Sequence, residues 1–394
     1  MTPAPSPLTP HPPSDDPLGR LLDERAVVVC TGSGGVGKTT TAAVLAMEAA
    51  HRGRRACVVT IDPARRLADA MGLDGLTDVP ARVEGPWSGE LWATMLDTKA
   101  TFDALVRARA GSPEQAERIL ANRFYRNISG SLSGTQEYMA MEKLYQLHGE
   151  DGFDLVVVDT PPTRNALDFL EAPRRLTRLL DHRLYRLLVS PGRGLGRAVN
   201  VAAQTFLRTV SRVVGAEVVD DAIEFFAAFE GMEDGFRARA GAVVDLLESE
   251  ETAFVLVTAP RRDVVEEATY FADRLAEASI AVRALVVNRV HPRFGEASPA
   301  VARQRAAALA GTPLEPFARN LADFAAVAAT EDGHLEGLTG RVAPAPVVRV
   351  PFLDTDVHDL GGLDRIAAHL FPDAARRAGA AAPSGPADGA DPTP

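Results

Sequence analysis

Thiols are scarce in this chain: only Cys30 and Cys57 occur among its 394 residues. Each sits inside an apolar run that reads as a buried strand, where a thiol serves as a small hydrophobe. Two such residues define no disulfide framework. Basic charge is in deficit as well, with 42 Lys and Arg against 53 Asp and Glu and a formal net charge of -11. A chain of this balance offers no field to draw in a phosphate backbone, so nucleic acid is not an expected partner. Long hydrophobic runs are also missing. The start, Met1 to Asp16, is proline-rich and lacks the basic patch and apolar run of a secretion signal. No later stretch has the length to span a bilayer. The expectation is a cytoplasmic protein with no transmembrane segment.

What is present is a large apolar fraction, 46 % of residues, enough for one large α/β domain or for a core with an inserted subdomain. Residues 1–17 and 376–394 are dominated by Pro, Ala, Gly, Ser and Asp. Such segments cannot offset their ordering entropy and are expected to be disordered tails. Between them, short β-branched runs recur at Ala26 to Thr31, Ala56 to Ile61, Leu91 to Leu96, Leu155 to Asp159, Ala253 to Thr258, Ala284 to Asn288 and Val347 to Val350. Several are apolar throughout instead of alternating, which is the pattern of parallel strands buried on both faces. Helical periodicity fills the gaps. The expected class is α/β, a doubly wound and mainly parallel sheet built from residues 18–173 and 251–375. The strand-plus-glycine-loop signature occurs once, so no internal duplication is read.

No strand-like run appears from about Arg174 to Glu250. Leu195, Val199, Ala202, Phe206, Val210 and Val213 recur there at helical spacing, and a second pattern includes Ile223, Phe226, Phe229, Met232 and Phe236. The span 174–250 therefore reads as a helical subdomain inserted in the α/β core.

Chemistry enters at Gly32-Ser33-Gly34-Gly35-Val36-Gly37-Lys38-Thr39, which follows the first strand and matches G-x-x-x-x-G-K-[ST] in full. A helix, Thr40 to Arg52, comes next. Glycines are required because the loop turns its backbone N–H groups inward around phosphate oxygens, and a Cβ blocks that approach. The loop residues Gly32, Gly34, Gly35, Val36, Gly37 and Thr40 are therefore expected to bind ATP. Lys38 supplies positive charge at the β and γ phosphates, Thr39 ligates Mg²⁺ through its hydroxyl, and the helix dipole adds to both. The competing reading is a glycine-rich turn with an incidental lysine. Strand, loop and helix in the required order count against it.

Asp62 and Asp159 each end an apolar strand, and strand C-termini of open parallel sheets face the ligand crevice. Phosphoryl transfer to water needs a metal holder and a group that orients the nucleophile. Asp159 is assigned to Mg²⁺, through water, and Asp62 to the attacking water. A helix N-cap is the ordinary alternative for either.

Three segments resemble the ATPases of the ArsA and guided-entry-of-tail-anchored-proteins family, within the deviant-Walker class that includes MinD and ParA. They are Gly34 to Thr40, Thr60-Ile61-Asp62-Pro63-Ala64, and Asp159-Thr160-Pro161-Pro162-Thr163. The resemblance implies that the second is switch I, with its aspartate positioning water, and that the third is switch II, which senses the γ phosphate. It continues at Val257 to Pro260, at Val286 to Arg289 and at Val350 to Asp354. There it implies an adenine site formed by Asn288, Pro351 and Phe352. The N-K-x-D reader of guanine is absent, because Arg289, Val290 and His291 follow Asn288.

One departure stands out. Ser33 occupies the place of the family's signature lysine, which in relatives reaches across a dimer to the partner's nucleotide. The resemblance therefore implies either a slow homodimer or a heterodimer in which a paralogous ATPase supplies that charge. No C-x-x-C is available for an intersubunit zinc site, and two cysteines make no thiolate cluster for arsenite. The bridging cysteines of an iron–sulfur reductase are missing too.

The resemblance further implies an apolar groove for a hydrophobic client or membrane-protein partner. Phe206, Phe225, Phe226, Phe229, Met232 and Phe236 are its candidate lining. Simple burial of these side chains against the core is the favoured alternative, since only one methionine lies among them. The segment Gly134 to Glu142 resembles a family element preceding switch II, which implies that Glu137 is an intersubunit or nucleotide contact; an ordinary amphipathic helix is the alternative. Arg65 and Arg66 follow switch I and read either as contacts to phosphate or to a partner, or as solvated surface. The expected function is that of an Mg²⁺-dependent ATPase. A nucleotide-gated targeting factor is the alternative, and a partition ATPase a more distant one.

Overall fold

The computed structural model describes residues 16–62, 66–128, 135–149, 151–161 and 215–381, together with 172 and 178. Eight strands form one sheet: β1 Val27–Thr31, β2 Arg55–Thr60, β3 Ala81–Val83, β4 Glu90–Met95, β5 Leu155–Asp159, β6 Thr252–Thr258, β7 Val282–Val290 and β8 Val347–Pro351. Their order is β3-β4-β2-β5-β1-β6-β7-β8. Every neighbouring pair is parallel except β3 with β4. The seven expected strands are all present. The additional one, β3, is a three-residue edge strand whose neighbouring Pro80 and short length hide it from a search for apolar runs.

The central strands are buried on both sides because alternate residues feed different cores. Val28 and Cys30 join one cluster, whereas Val27 and Val29 join another on the opposite face. The first cluster is covered by α1 Pro17–Glu24, α2 Lys38–His51, α13 Leu360–Leu370 and α14 Pro372–Ala381, in a series that numbers the described helices. Helices α4 Thr98–Arg109, α5 Pro113–Ala121, α6 Arg123–Ile128, α7 Thr135–Gly149, α8 Ala216–Ala228 and α9 Glu233–Glu248 contribute to the second. Under the β6 and β7 end lies a third cluster with α10 Arg262–Glu277 and α12 Glu315–Val342. The remaining helices are α3 Arg66–Ala70, beside α2 and α13, and α11 Pro299–Ala308, which packs on α12.

Helix α2 begins at the glycine loop and is buried continuously from Thr41 to Ala50. Its small and apolar side chains let it be buried all round, between the sheet and the neighbouring helices. Its one internal charge is Glu48, fully buried and held by Arg52 Nε at 3.1 Å and by Arg377 of α14. Arg52 also binds Asp16, which caps α1, and Asp23 at 3.0 Å. Ordered structure thus extends past residue 375, where the core was expected to end. Alanine-rich α14 runs to Ala381 because its basic residue finds a buried carboxylate that the tail's composition does not announce.

Of the span expected to form an insertion, the described helices α8 and α9 lie on α5, α6 and α7. Phe225, Phe229, Met232 and Phe236 are buried there and Phe226 is half-buried, with Phe225 and Phe229 rings 4.8 Å apart. The four buried side chains serve the core, each contributing about 1.5–3 kcal/mol by burial, and do not line an open groove. Arg239 of α9 fixes this packing through three hydrogen bonds of 2.7 to 3.0 Å to the Glu142 carboxylate of α7. Phe206, the run Leu195 to Val213, and both expected tails through residue 15 and from residue 382 lie outside the described residues.

Candidate active site

The topology brings the loop after β1 and the ends of β2 and β5 to one edge of the sheet. Because β5 runs between β2 and β1, Asp159 is in register with Thr60 on one side and Cys30 on the other. The glycine loop, α3, the end of β7 and the segment after β8 enclose a cavity of about 440 Å³, within the usual range for small-ligand sites, roughly 300–1,000 Å³. Gly35, Gly37, Lys38, Thr39 and Thr40 line it. So do Asp62, Asn288, Pro351 and Phe352 from other elements. Of the remaining loop positions, Gly32, Gly34 and Val36 are not part of its wall.

Three glycines serve different ends. Gly35 has φ +74° and open space where a Cβ would stand, so it leaves backbone free beside the cavity. At Gly37, φ is +94° and a Cβ would lie 2.3 Å from the Asn288 amide nitrogen. Gly32 is required by packing as well: a Cβ there would meet the Val257 carbonyl of β6 at 2.0 Å. Close packing of loop on sheet excludes a side chain at that position.

Lys38 is buried and donates from Nζ to the Ser33 carbonyl at 2.7 Å. Burial pushes its ammonium group below the ordinary lysine range, while the carboxylates of Asp159 and Asp62 hold it up. Asp159 is also buried, and burial raises its carboxyl against the opposing pull of Thr39, Thr60 and Lys38. Its Oδ2 accepts from the Thr39 hydroxyl at 2.7 Å and from the Thr60 hydroxyl at 2.9 Å. Its Oδ1 is buried with no hydrogen-bond partner. Asp62 is half-buried, and its backbone N–H donates to Thr60 Oγ1 at 3.2 Å. Pro63, Ala64, Arg65, Pro162 and Thr163 lie outside the described residues, whereas Arg66 reaches the cavity wall.

Asn288 is placed at the cavity, but both ends of its amide are engaged locally. Nδ2 donates to the Val36 carbonyl at 2.9 Å, and Oδ1 accepts the Arg289 N–H at 2.9 Å. This side chain braces the glycine loop. Arg289 itself adopts φ +61°, an uncommon conformation for a residue with a Cβ. Phe352 is exposed and its ring is stacked with that of His291 at 6.4 Å. Glu137 is half-buried on the first turn of α7, where the neighbouring Gln136 side chain reaches toward the Ile61 carbonyl at 3.4 Å.

Sequence reasoning placed Thr60 and Thr160 in the two switch-like segments but gave neither a role. Thr160 donates its hydroxyl to the Cys30 carbonyl at 2.8 Å and faces the cavity. A signal existed for both, since each is a polar residue at the C-terminal end of an apolar strand, the end that meets ligands in such sheets.

A family model described as anion-transporting ATPase matches residues 25–308. ATPase ARSA2 of Chlamydomonas reinhardtii is 27 % identical over 280 residues, covering 70 % of this chain and 71 % of that protein. ATPase GET3 of Malassezia globosa is 30 % identical over 165 residues, or 41 % of this chain and 47 % of that one. The putative arsenical pump-driving ATPase 2 of Aquifex aeolicus is 23 % identical over 269 residues, with 66 % and 79 % covered. Among the described residues no helix is long and apolar enough to cross a membrane. The glycine loop, its lysine and the mainly parallel sheet agree with these matches, and the chain belongs to the anion-transporting ATPase family of ATP-hydrolysing P-loop enzymes.

Proposed function

We propose that this chain is a magnesium-dependent ATPase whose hydrolysis cycle drives a conformational change between two paired subunits. The observation that carries the reading is the convergence of Lys38, Thr39 and Asp62 on one cavity, with the buried Asp159 carboxylate bonded to Thr39 behind its wall. In this assignment Lys38 and the loop amides take the β and γ phosphates, and Asp62 orients the attacking water. The walls at Asn288, Pro351 and Phe352 receive the base.

The residues fit a hard divalent cation. Thr39 spends its single proton on Asp159, which leaves its oxygen lone pairs for a ligand. The Asp159 Oδ1 without a partner suits a water of a hydrated Mg²⁺. When bound, the ion neutralises charge on the phosphate oxygens. Thr39 and Asp159 are the residues that would hold it.

Ser33 stands where relatives are expected to carry a lysine, so the charge that crosses a dimer has to come from elsewhere. A heterodimer with a paralogous ATPase meets that need, and a slow homodimer is the other outcome. Calorimetric titration of the full chain with ATP, followed by phosphate release, tests the site. Lys38→Ala is expected to lose both, and a variant that keeps both would sink the assignment. Rates for the chain alone and with its paralogue separate the two dimers, since equal, fast rates remove the need for a partner. Capture of an apolar client remains the alternative output, and it would have to use surfaces other than the buried Phe225, Phe229, Met232 and Phe236 cluster.

A further inference from the structure

Thr60 is fully enclosed at the end of β2, between the Asp159 carboxylate and the backbone of Asp62, the two residues to which the chemistry is assigned. Its hydroxyl does two jobs at once. The proton goes to Asp159 Oδ2 at 2.9 Å, and the oxygen accepts the backbone N–H of Asp62 at 3.2 Å. The sheet itself sets this up, since parallel pairing of β2 and β5 puts Thr60 directly opposite Asp159. Only a hydroxyl can donate and accept at one atom in this way. The bland explanation for a buried threonine, a β-branched residue filling a strand end, is met equally by valine and needs neither bond.

We infer that Thr60 is a positioning residue for ATP hydrolysis, linking the metal-side carboxylate Asp159 to the water-side residue Asp62 through its hydroxyl. The inference rests on the roles proposed above for those two aspartates. One carboxylate oxygen, Oδ2, gathers the hydroxyls of both Thr39 and Thr60. A continuous chain therefore runs from Thr39, at the start of α2, through Asp159 and Thr60 to the backbone of Asp62. Any change in how Asp159 is held is passed on to the segment that bears Asp62 across two hydrogen bonds. Thr60 touches neither phosphate nor water in this scheme. Its effect is exerted wholly on where Asp62 sits.

Two measurements test this on the full chain. The first needs no nucleotide: amide hydrogen exchange at Asp62, resolved with overlapping peptides. Thr60→Val removes the acceptor of that N–H at nearly constant volume, so exchange is expected to quicken about tenfold, while Thr60→Ser keeps the parental rate. Unchanged exchange in Thr60→Val would overturn the link. The second is a cycle of single-turnover hydrolysis rates for the parent, Thr60→Val, Asp62→Ala and the double variant. Thr60→Val is expected to slow hydrolysis at least tenfold in the parent, with binding of a fluorescent ADP analogue altered less than about threefold, and to cost almost nothing further once Asp62 is alanine. Thr60→Ser should restore the rate. An equal loss in both backgrounds would mean that valine merely disturbs the fold, and the inference would be wrong. If Asp62→Ala itself leaves the rate unchanged, the assignment of Asp62 fails instead, which is a separate result.

Discussion

The ion pair between Arg239 and Glu142 allows the docking of α9 on α7 to be tested by its energy. Both side chains are nearly enclosed, at 8 % and 7 % exposure. The guanidinium also lies 3.9 Å from the Tyr145 ring centroid. Arg239→Met leaves the Glu142 carboxylate buried after loss of all three guanidinium bonds, a situation that costs about 3–5 kcal/mol. With a urea slope of about 3 kcal/mol per molar, the unfolding midpoint should fall by about 1–1.7 M. Trp92 packs against the same apolar cluster and reports the transition by fluorescence, with circular dichroism as the second probe. Replacing both partners, Glu142→Leu with Arg239→Met, removes the stranded charge and is expected to return the midpoint to the parental value or above. A single variant within about 0.3 M of the parent, or a double variant as unstable as the single, would refute the reasoning.

Gly37→Ala places a Cβ against the Asn288 amide and imposes a left-handed backbone on alanine, at about 1–2 kcal/mol for the backbone alone. Nucleotide affinity measured by calorimetry should drop about tenfold or more, because Asn288 has to release the loop. Burial raises the thiols of both Cys30 and Cys57. A colorimetric disulfide reagent at pH 8 is therefore expected to modify neither until denaturant is added. For Asp159 the sign follows from its raised carboxyl: the native state keeps a proton that the unfolded chain has already released, so this group's contribution to stability falls as pH rises through that window. Asp159→Asn abolishes that dependence. Its thermal midpoint relative to the parent should be most favourable near neutral pH and lose ground as pH approaches the ordinary carboxylate range, which scanning calorimetry at several pH values would reveal.

The parallel strands were legible because burial on both faces writes unbroken Val-rich runs, as in Val27 to Thr31 and Leu155 to Asp159. Strand β3 was not, since three edge residues carry no such pattern. The gathering of Lys38, Thr39, Asp62 and Asp159 followed from one rule, that strand ends in such sheets converge on the ligand. The engagement of Asn288 with Val36 could not be read, because those residues are far apart in sequence and meet only once β7 has been placed near the loop. Gly32 was likewise recognised as necessary, but the carbonyl that makes it so belongs to β6. Local pattern names the participants; only the assembled sheet names their neighbours.

Glu48 has a practical bearing on any shortened version of this protein. A cut made upstream of Arg377 would leave an acid sealed in the middle of the helix that starts at Lys38, answered by Arg52 alone. Removing Asp16 at the other terminus would loosen Arg52 in turn. Anyone trimming the proline-rich ends for crystallisation should therefore keep both anchors, since apparent loss of nucleotide binding in a shorter version would otherwise reflect a damaged helix and say nothing about the catalytic groups.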